Sequence, residues 1–522
     1  MSLINGLAGP ARAPWLAQQN TAPQTVPAGA STNTPNASPA SVVRLSAAAL
    51  AAEAGQMPDG LPITVATVWE RADGDAISTL MASKQQAFGR YGSVLQGLGA
   101  ALLTAGSDYS QAAVWFNPGG ASAALAPAAR LAGLHTQASN QVSLNLGLRS
   151  GTQVSLFIGH QSDGLAVRFE SSAALDEQER AALAGLAEGF EQALAAWTAD
   201  TPTLDLAGLL AYDAKAFSSL SLRIDQDQPG STDLSLQLDI DAKQRKLSVD
   251  GASGKLELRL DTAQQQILGS PAQREKALAT YAQRFAQAGD AGRADKSLIT
   301  LLQDAFTQLN RSAPTQTGGA AYERLLAAMP LADHDQAMLS GLADFQIDLV
   351  QASRRPNPRR PDEVNRFSYQ ASQQTEIEGR DNAKRTITQQ RHHKLEASYH
   401  QPLAGSKLML DDNPASQYYT FHRVEAESES RAQIRYADHL MVAASLQQQG
   451  SQRHEITEYQ HGVRTQHTVT PNRYGWVKDL LATLKPLYEE KADSDIESAA
   501  REALLARVNA QVLAAPEPGF MV

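Results

Sequence analysis

Apolar residues recur at two spacings along this chain, every second residue in some stretches and every third or fourth in others, and the switches between them predict its elements. Val142–Leu148, Val154–Ile158 and Leu165–Phe169 alternate apolar with polar positions, with turns at Gly151 and Asp163-Gly164. Helical spacing follows: Leu183, Leu186, Phe190, Leu194 and Trp197 share a face, and Asp176 with Glu179 predicts a capping box at its start. After Pro202 and a short apolar stretch, Leu204–Tyr212, come four more alternating runs: Leu220–Ile224, Leu234–Ile240, Lys246–Val249 and Leu256–Leu260. Asp250-Gly251 marks a tight hairpin between the last two. Three strands, a helix and four strands predict an antiparallel sheet with a packed helix over residues 141–268.

Residues 61–140 read as mainly helical after one short strand at Ile63–Trp69, with Phe88, Val94, Leu95, Leu98 and Leu102 on the apolar face of Ala82–Ala105. Residues 269–352 return to helix in Gln273–Ala288, Asp295–Leu309 and Ala321–Val350, interrupted at Pro330 and Gly341. The run from Arg354 to Pro361, rich in arginine and proline, predicts a stiff, solvated linker over 353–364. Beyond it, Phe367, Tyr369, Ala371, Thr375 and Ile377 alternate with polar residues, and Ile387, Leu395, Ala397 and Tyr399 repeat the pattern. Tyr419–Glu429, Gln433–Tyr436, Leu440–Leu446, Glu455–Tyr459 and Val463–Val469 extend it into a meander, with turns at Asp381-Asn382, Asp438-His439 and His461-Gly462. Helices are expected at Trp476–Leu487 and, after a Ser494/Glu497 capping box, at Ile496–Leu513. The meander's apolar face is thin and needs cover from these helices, from the 141–268 sheet or from another subunit. Residues 1–60, with seven prolines and four charges, predict a disordered low-complexity tail. The fold class expected is α+β: this tail, a central antiparallel sheet with a packed helix, a helical segment, and a long-stranded antiparallel β-meander with C-terminal helices over 365–522.

The 522 residues are 43% hydrophobic and 19% charged, enough for a sizeable core. Lys and Arg number 45 against 55 Asp and Glu, a formal net charge of -10, which argues against a general nucleic-acid binder. The absence of cysteine excludes disulfides, thiolate metal sites, iron–sulfur clusters and cysteine nucleophiles. No transmembrane helix is expected: the best uncharged candidate windows, Tyr91–Ser107 and Tyr109–Ala129, carry polar residues or Asn117-Pro118-Gly119-Gly120. Met1–Gly9 has no basic n-region, so the cytoplasm is the default location and signal-peptide-independent export the alternative. No solenoid-length repeat is present.

Candidate chemistry centres on histidine, since eight of the eleven fall between His392 and His467. A metal reading would take His392, His393, Glu396 and His400, or His454, Glu455, Glu458 and His461. Both segments read as strands, where residues four apart lie about 13 Å from each other and cannot share an ion. A polar sheet surface is the competing reading, and a pH-sensing cluster a third. Asp225-Gln226-Asp227-Gln228-Pro229-Gly230 resembles half a calcium loop, but no Glu stands at the twelfth, closing position. Gly97-Leu98-Gly99 lacks the third glycine of a dinucleotide fingerprint and reads as helix packing. No Gly-x-Ser-x-Gly elbow or P-loop occurs, Gly251-Ala252-Ser253-Gly254 is a strand-to-strand turn, and pairs such as Glu376/Glu378 and Glu425/Glu427/Glu429 read as solvated faces. No catalytic, cofactor-binding or metal residue is assigned.

The segments Leu165–Phe169, Asp176–Trp197 and Leu204–Asp213, with Ala397-Ser398-Tyr399-His400, resemble an uncharacterised gammaproteobacterial family over about residues 40–470. Some members of that family carry a lactate dehydrogenase name. This chain has neither the Gly-rich strand-turn-helix nor a His/Arg/Asp set that such an activity requires, and the resemblance implies no functional residue. The expectation is a non-enzymatic interaction or structural protein that uses the meander as its contact surface, its partner an unknown protein or a second copy. The rival expectation is a metal-dependent binder or enzyme built on the histidines of 392–467.

Overall fold

A computed structural model describes residues 66–87, 91–116, 127–227, 233–311, 330–353, 356–488 and 498–513. The tail expected over residues 1–60, the helix expected over 321–329 and the Ser494/Glu497 capping box lie outside these. The described chain is α+β and is built on one 15-stranded sheet, antiparallel throughout, in the order β1-β2-β5-β4-β3-β6-β7-β8-β9-β10-β11-β12-β13-β14-β15.

The first half follows the alternation. Strands β3 (Asn140–Leu148), β4 (Gln153–Gln161) and β5 (Gly164–Ser171) precede a helix, and β6 (Phe217–Gln226), β7 (Leu234–Ile240), β8 (Gln244–Gly251) and β9 (Gly254–Asp261) follow it. The helix, Glu177–Trp197, begins with the expected capping box: Asp176 Oδ1 accepts from Glu179 N at 2.8 Å, and Glu179 Oε2 accepts from Asp176 N at 3.0 Å. Its buried face contains Leu183, Leu186, Phe190, Leu194 and Trp197.

The region read as mainly helical is corrected in part. It holds helices α1 (Ala76–Ser83), α2 (Tyr91–Leu95), α3 (Leu98–Ala105) and α4 (Pro127–Leu134), with Glu177–Trp197 as α5 and the short Ala207–Leu210 as α6. It also holds β1 (Ala66–Trp69), within the strand expected at Ile63–Trp69, and a second strand that was not expected, β2 (Tyr109–Phe116). In β2, Ala112, Ala113, Val114 and Trp115 are all buried, and a short run buried on both faces has no period to separate strand from helix. Gly97-Leu98-Gly99 serves packing, as expected: Gly97 starts α3 at φ +83°, and a β-carbon on Gly99 would enter the Phe190 ring of α5.

The second correction concerns Ala321–Val350. In place of one helix, the described part holds a single turn, α9 (Asp333–Ala337), and a strand, β10 (Asp344–Gln351). Strand β10 pairs with β9 on one side and with β11 (Arg366–Glu378) on the other, so the two strand-rich stretches belong to one sheet. Helices α7 (Pro271–Gly292) and α8 (Lys296–Arg311) cover this seam. Rings of Tyr281, Phe285, Phe306, Phe345 and Tyr369 interlock there, with centroids 5.3 Å apart for Phe285–Phe306 and 5.0 Å for Phe306–Phe345.

The meander is longer-stranded than its apolar pattern indicates. β12 spans Thr386–Pro402, β13 Tyr419–Ala437, β14 Leu440–Gln460 and β15 Val463–Asp479. Two pairs of expected strands merge into β13 and β14, because a polar row interrupts the apolar face without interrupting the backbone. Gln373, Arg391, Ser430 and Gln448 are register neighbours across four strands, and all are buried. Arg391 donates to Ser430 Oγ at 2.8 Å and to Val512 O, while Arg284 donates to Leu513 O. These two guanidiniums cap the last carbonyls of α11 (Ser498–Leu513), satisfying acceptors a helix end leaves open. The helix expected from Trp476 is likewise corrected: β15 runs through Asp479, and α10 spans Leu481–Tyr488. Leu484, Leu487, Val508 and Val512 cover Ile387, Ile434 and Leu446, so the terminal helices are among the elements that cover the thin face. No helix among the described residues is long and apolar enough to cross a membrane.

Two helix backbones approach closely at Gly189 of α5 and Gly208 of α6, where a β-carbon on Gly189 would lie 2.5 Å from the Gly208 carbonyl carbon. Gly189→Ala is expected to destabilise the fold by about 1–3 kcal/mol through backbone overpacking. Urea unfolding midpoints of the two proteins measure this, and an unchanged midpoint would show that α6 yields freely.

Candidate functional site

The structure disperses the histidines. His439 (φ +66°) and His461 (φ +52°) are turn residues, forming two-residue hairpin loops with Asp438 (φ +48°) and Gly462 (φ +80°). Both loops have two positive-φ residues, the turn whose twist suits antiparallel strands. His392 and His393 are adjacent in β12 and point to opposite faces. His392 meets Glu427 on the outer face at 2.8 Å, whereas His393 is buried against Tyr369 OH at 2.9 Å. His422 and His454 lie on neighbouring strands with Nδ1 and Nε2 3.0 Å apart, and Tyr399 stacks on His422 at 4.7 Å. His467 meets Thr457 at 3.1 Å and Glu455 at 3.8 Å. Among the described residues no group of three His, Asp or Glu side chains is placed to hold a metal ion. Residues 228–232 of the acidic loop lie outside the described residues; Asp225 pairs with Arg223 at 2.6 Å, and Asp239 accepts from Ser221 and Gln237.

The arginine- and proline-rich segment departs in part from its expectation. Arg354 and Arg355 lie outside the described residues; from Pro356 to Asp362 most residues are exposed, as expected of a solvated segment, but buried Asn357 and Glu363 pin the segment to the sheet. Asn357 is 0% exposed and donates to Gln417 Oε1 at 2.6 Å and to Tyr419 OH at 2.8 Å. Arg359 donates to Asp412 O at 2.9 Å, and Arg360 donates to Gly462 O at 2.8 Å while lying 4.0 Å over the Tyr459 ring. These bonds bring Glu363, 4% exposed, onto the end of the meander, where its carboxylate accepts from Tyr419 OH at 2.5 Å.

His400 completes this group. Asn365 Oδ1 accepts from His400 N at 3.1 Å, which identifies it as the amide oxygen, so His400 Nδ1, 2.7 Å away, carries a proton. Nε2 faces Glu363 Oε2 at 3.4 Å. Burial pushes the Glu363 carboxyl up, but hydrogen bonds from His400, Tyr419 and Tyr459 outweigh it and hold the group below the usual range. Burial and then the Glu363 bond push the Tyr419 phenol up. Both ring nitrogens of His400 are thus directed at partners, and Ser398 donates to Val364 O at 2.6 Å, so the pair is not arranged as nucleophile and base. The cluster fastens the 356–365 loop to the sheet. Sequence reasoning missed it because its members come from three separate segments.

The most exposed feature of the meander is β15. It has 17 residues, pairs only with β14 among the described strands, and is open to solvent on both faces over nearly its whole length. Leu480 N donates to Ala444 O at 2.8 Å. Counting back from that bond by the two-residue alternation, even-numbered backbone groups of β15 face β14 and odd-numbered ones face outward from Asp479 back to Gln466, where the ladder shifts register. Pro471, with no N–H to give, sits at an outward position, where an edge strand tolerates it. The backbone groups of His467, Val469, Arg473, Gly475 and Val477 therefore point away from the sheet. Pro471 lies beyond the Val463–Val469 run that alternation marks as a strand, so the pattern alone did not mark an edge.

Burial drives the pH response of this fold. It lowers His160 and His422 to about 4, with His454 and Arg293 adding to the effect at His422. Such groups take up protons in the unfolded chain first, so stability falls as pH drops from 6.5 towards 4, by at most about 1.4 kcal/mol per pH unit for each group. Asp344 acts oppositely: burial raises it to about 6 against hydrogen bonds from Thr375 and Gln373, so its protonation adds stability as pH falls from 6 towards 3.8. His422→Gln is expected to flatten the loss of stability between pH 6.5 and 4.5, and Asp344→Asn to steepen it. Urea titrations across this range measure both slopes; parallel slopes for all three proteins would refute the assignment.

Compared with family models, with curated proteins and with solved structures, the chain finds no match.

Proposed function

We propose that this chain is an interaction protein that captures an extended, acidic segment of another protein along β15. The observation that carries the reading is the free edge itself: 17 residues with one strand neighbour and outward backbone groups that a further strand can pair. Val463 and Val477 are 67% and 69% exposed, an apolar allowance a partner strand would cover. Arg464, Arg473 and Lys478 against Asp479 give the strand a formal charge of +2 within a protein of net charge -10. Two copies pairing edge to edge would bring these cations together, which favours an acidic partner over self-association. Pro471 divides the edge, and the β-branched half from Val463 to Thr470 is the better template.

The absence of cysteine allows a single label at Gln466→Cys to report binding by fluorescence anisotropy. A seven-residue peptide of alternating Glu and Val is expected to bind saturably at roughly 10–100 μM, and its Lys/Val counterpart not to bind. Val469→Pro removes one outward donor without touching the β14 ladder. It is expected to weaken binding about tenfold or more with little change in melting temperature. Equal binding of the two peptides, or binding indifferent to Val469→Pro, would remove β15 as the capture edge. Dimerisation abolished by the same substitution would replace the acidic partner with a second copy.

A further inference from the structure

At the opposite end of β11 and β12 from the Asp381-Asn382 turn, the chain encloses a half-open pocket of about 390 Å³, within the size range of small-molecule sites. It forms where the C-terminus of α7, the end of β10, the start of β11, the end of β12 and the loop carrying Leu408 meet. Its walls are chemically uneven. Arg366 lines it, and its side chain enters no hydrogen bond or ion pair among the described residues. Arg293 is held at φ +54° in the left-handed cap of α7, and its guanidinium lies 5.9 Å from the Tyr399 ring centroid. The carboxylate in the wall, Asp295, is occupied: Ser297 N and Ser297 Oγ both donate to its Oδ1, at 2.9 and 2.7 Å. The amide oxygen of Asn365 is likewise taken up by His400. Tyr399 and Leu408 supply carbon surface, and Leu408 is 39% exposed although it is apolar.

Among the described residues neither of these two guanidiniums has a carboxylate partner. A planar, forked cation left open beside an aromatic ring suits a carboxylate or phosphate attached to an apolar body. We propose that this pocket binds a small organic acid, with Arg293 and Arg366 taking its anionic group and Tyr399 and Leu408 facing its carbon skeleton. The site lies away from β15 and is independent of strand capture. Asp295, although occupied, sets a limit: the local formal charge is +1, so a monoanion or dianion with carbon surface fits better than a compact polyanion.

Calorimetric titration of the full chain with benzoate and with phenyl phosphate tests this, using benzylamine as the cationic control at matched ionic strength. Saturable binding of at least one acid with Kd below roughly 1 mM, and none of benzylamine, is expected. Arg366→Gln is exposed and should fold as the parent does; it is expected to weaken binding about tenfold, as is Arg293→Gln. Unchanged melting temperatures of both variants confirm that the loss is local. Failure of both acids to bind better than benzylamine would overturn the proposal, as would affinities indifferent to both substitutions.

Discussion

Strand β10 carries a double obligation that the rest of the molecule depends on. All eight of its residues pair with β9 along one edge and Phe345–Val350 with β11 along the other, so removing it would leave two sheets, each with an open edge at the break. The pairing holds because Phe345, Ile347 and Leu349 are buried under α7 and α8, in an interlocked set of rings that also reaches β11. The one costly element is Asp344 at the strand's start. It is tolerated because Thr375 N, Thr375 Oγ1 and Gln373 Nε2 all donate to it.

Beyond the seam, the fold trades apolar burial for hydrogen bonding. The row from Gln373 through Arg391 and Ser430 to Gln448 puts amides, a hydroxyl and a guanidinium where a sheet of this length would ordinarily bury leucine or valine. The end of α11 supplies carbonyls to that row, so helix and sheet meet through polar groups at one level and through Val508, Val512, Ile434 and Leu446 at another. Binding energy of this kind is directional. It fixes how far the last helix can slide along the meander, a constraint that a purely apolar contact would leave loose.

These features explain how much was legible beforehand. Alternation placed β3 to β9 correctly because their inner faces are almost wholly apolar, and the Asp176/Glu179 box placed the start of α5 because capping is a local interaction. The hairpins at Asp438-His439 and His461-Gly462 were legible for the same reason. Strands β2 and β10 were not: β2 is buried on both faces and has no period, and β10 follows a stretch whose helical spacing masked the change. The solvated character of the 356–362 segment was legible in its arginines and prolines, but its anchoring was not, because Asn357 and Glu363 find their partners more than 50 residues away. The histidine concentration proved to be a composite of hairpin turns, outer-face pairs and buried ring contacts, and only the fold could separate these. The β15 edge was legible as a strand but not as an edge, since pairing partners are a property of topology.

From β7 to β15 every strand pairs with the one before it in the chain. A sheet wired this way can be laid down in the order of synthesis. Each new strand docks on the last as it leaves the ribosome, without waiting for distant sequence, and only the early strands β1 to β6 must find a shuffled order. At every stage of that growth the newest strand presents an open flank, so the nascent protein exposes a succession of sticky borders. Chaperone protection during translation would therefore be needed along the whole second half of the chain rather than at a single late step.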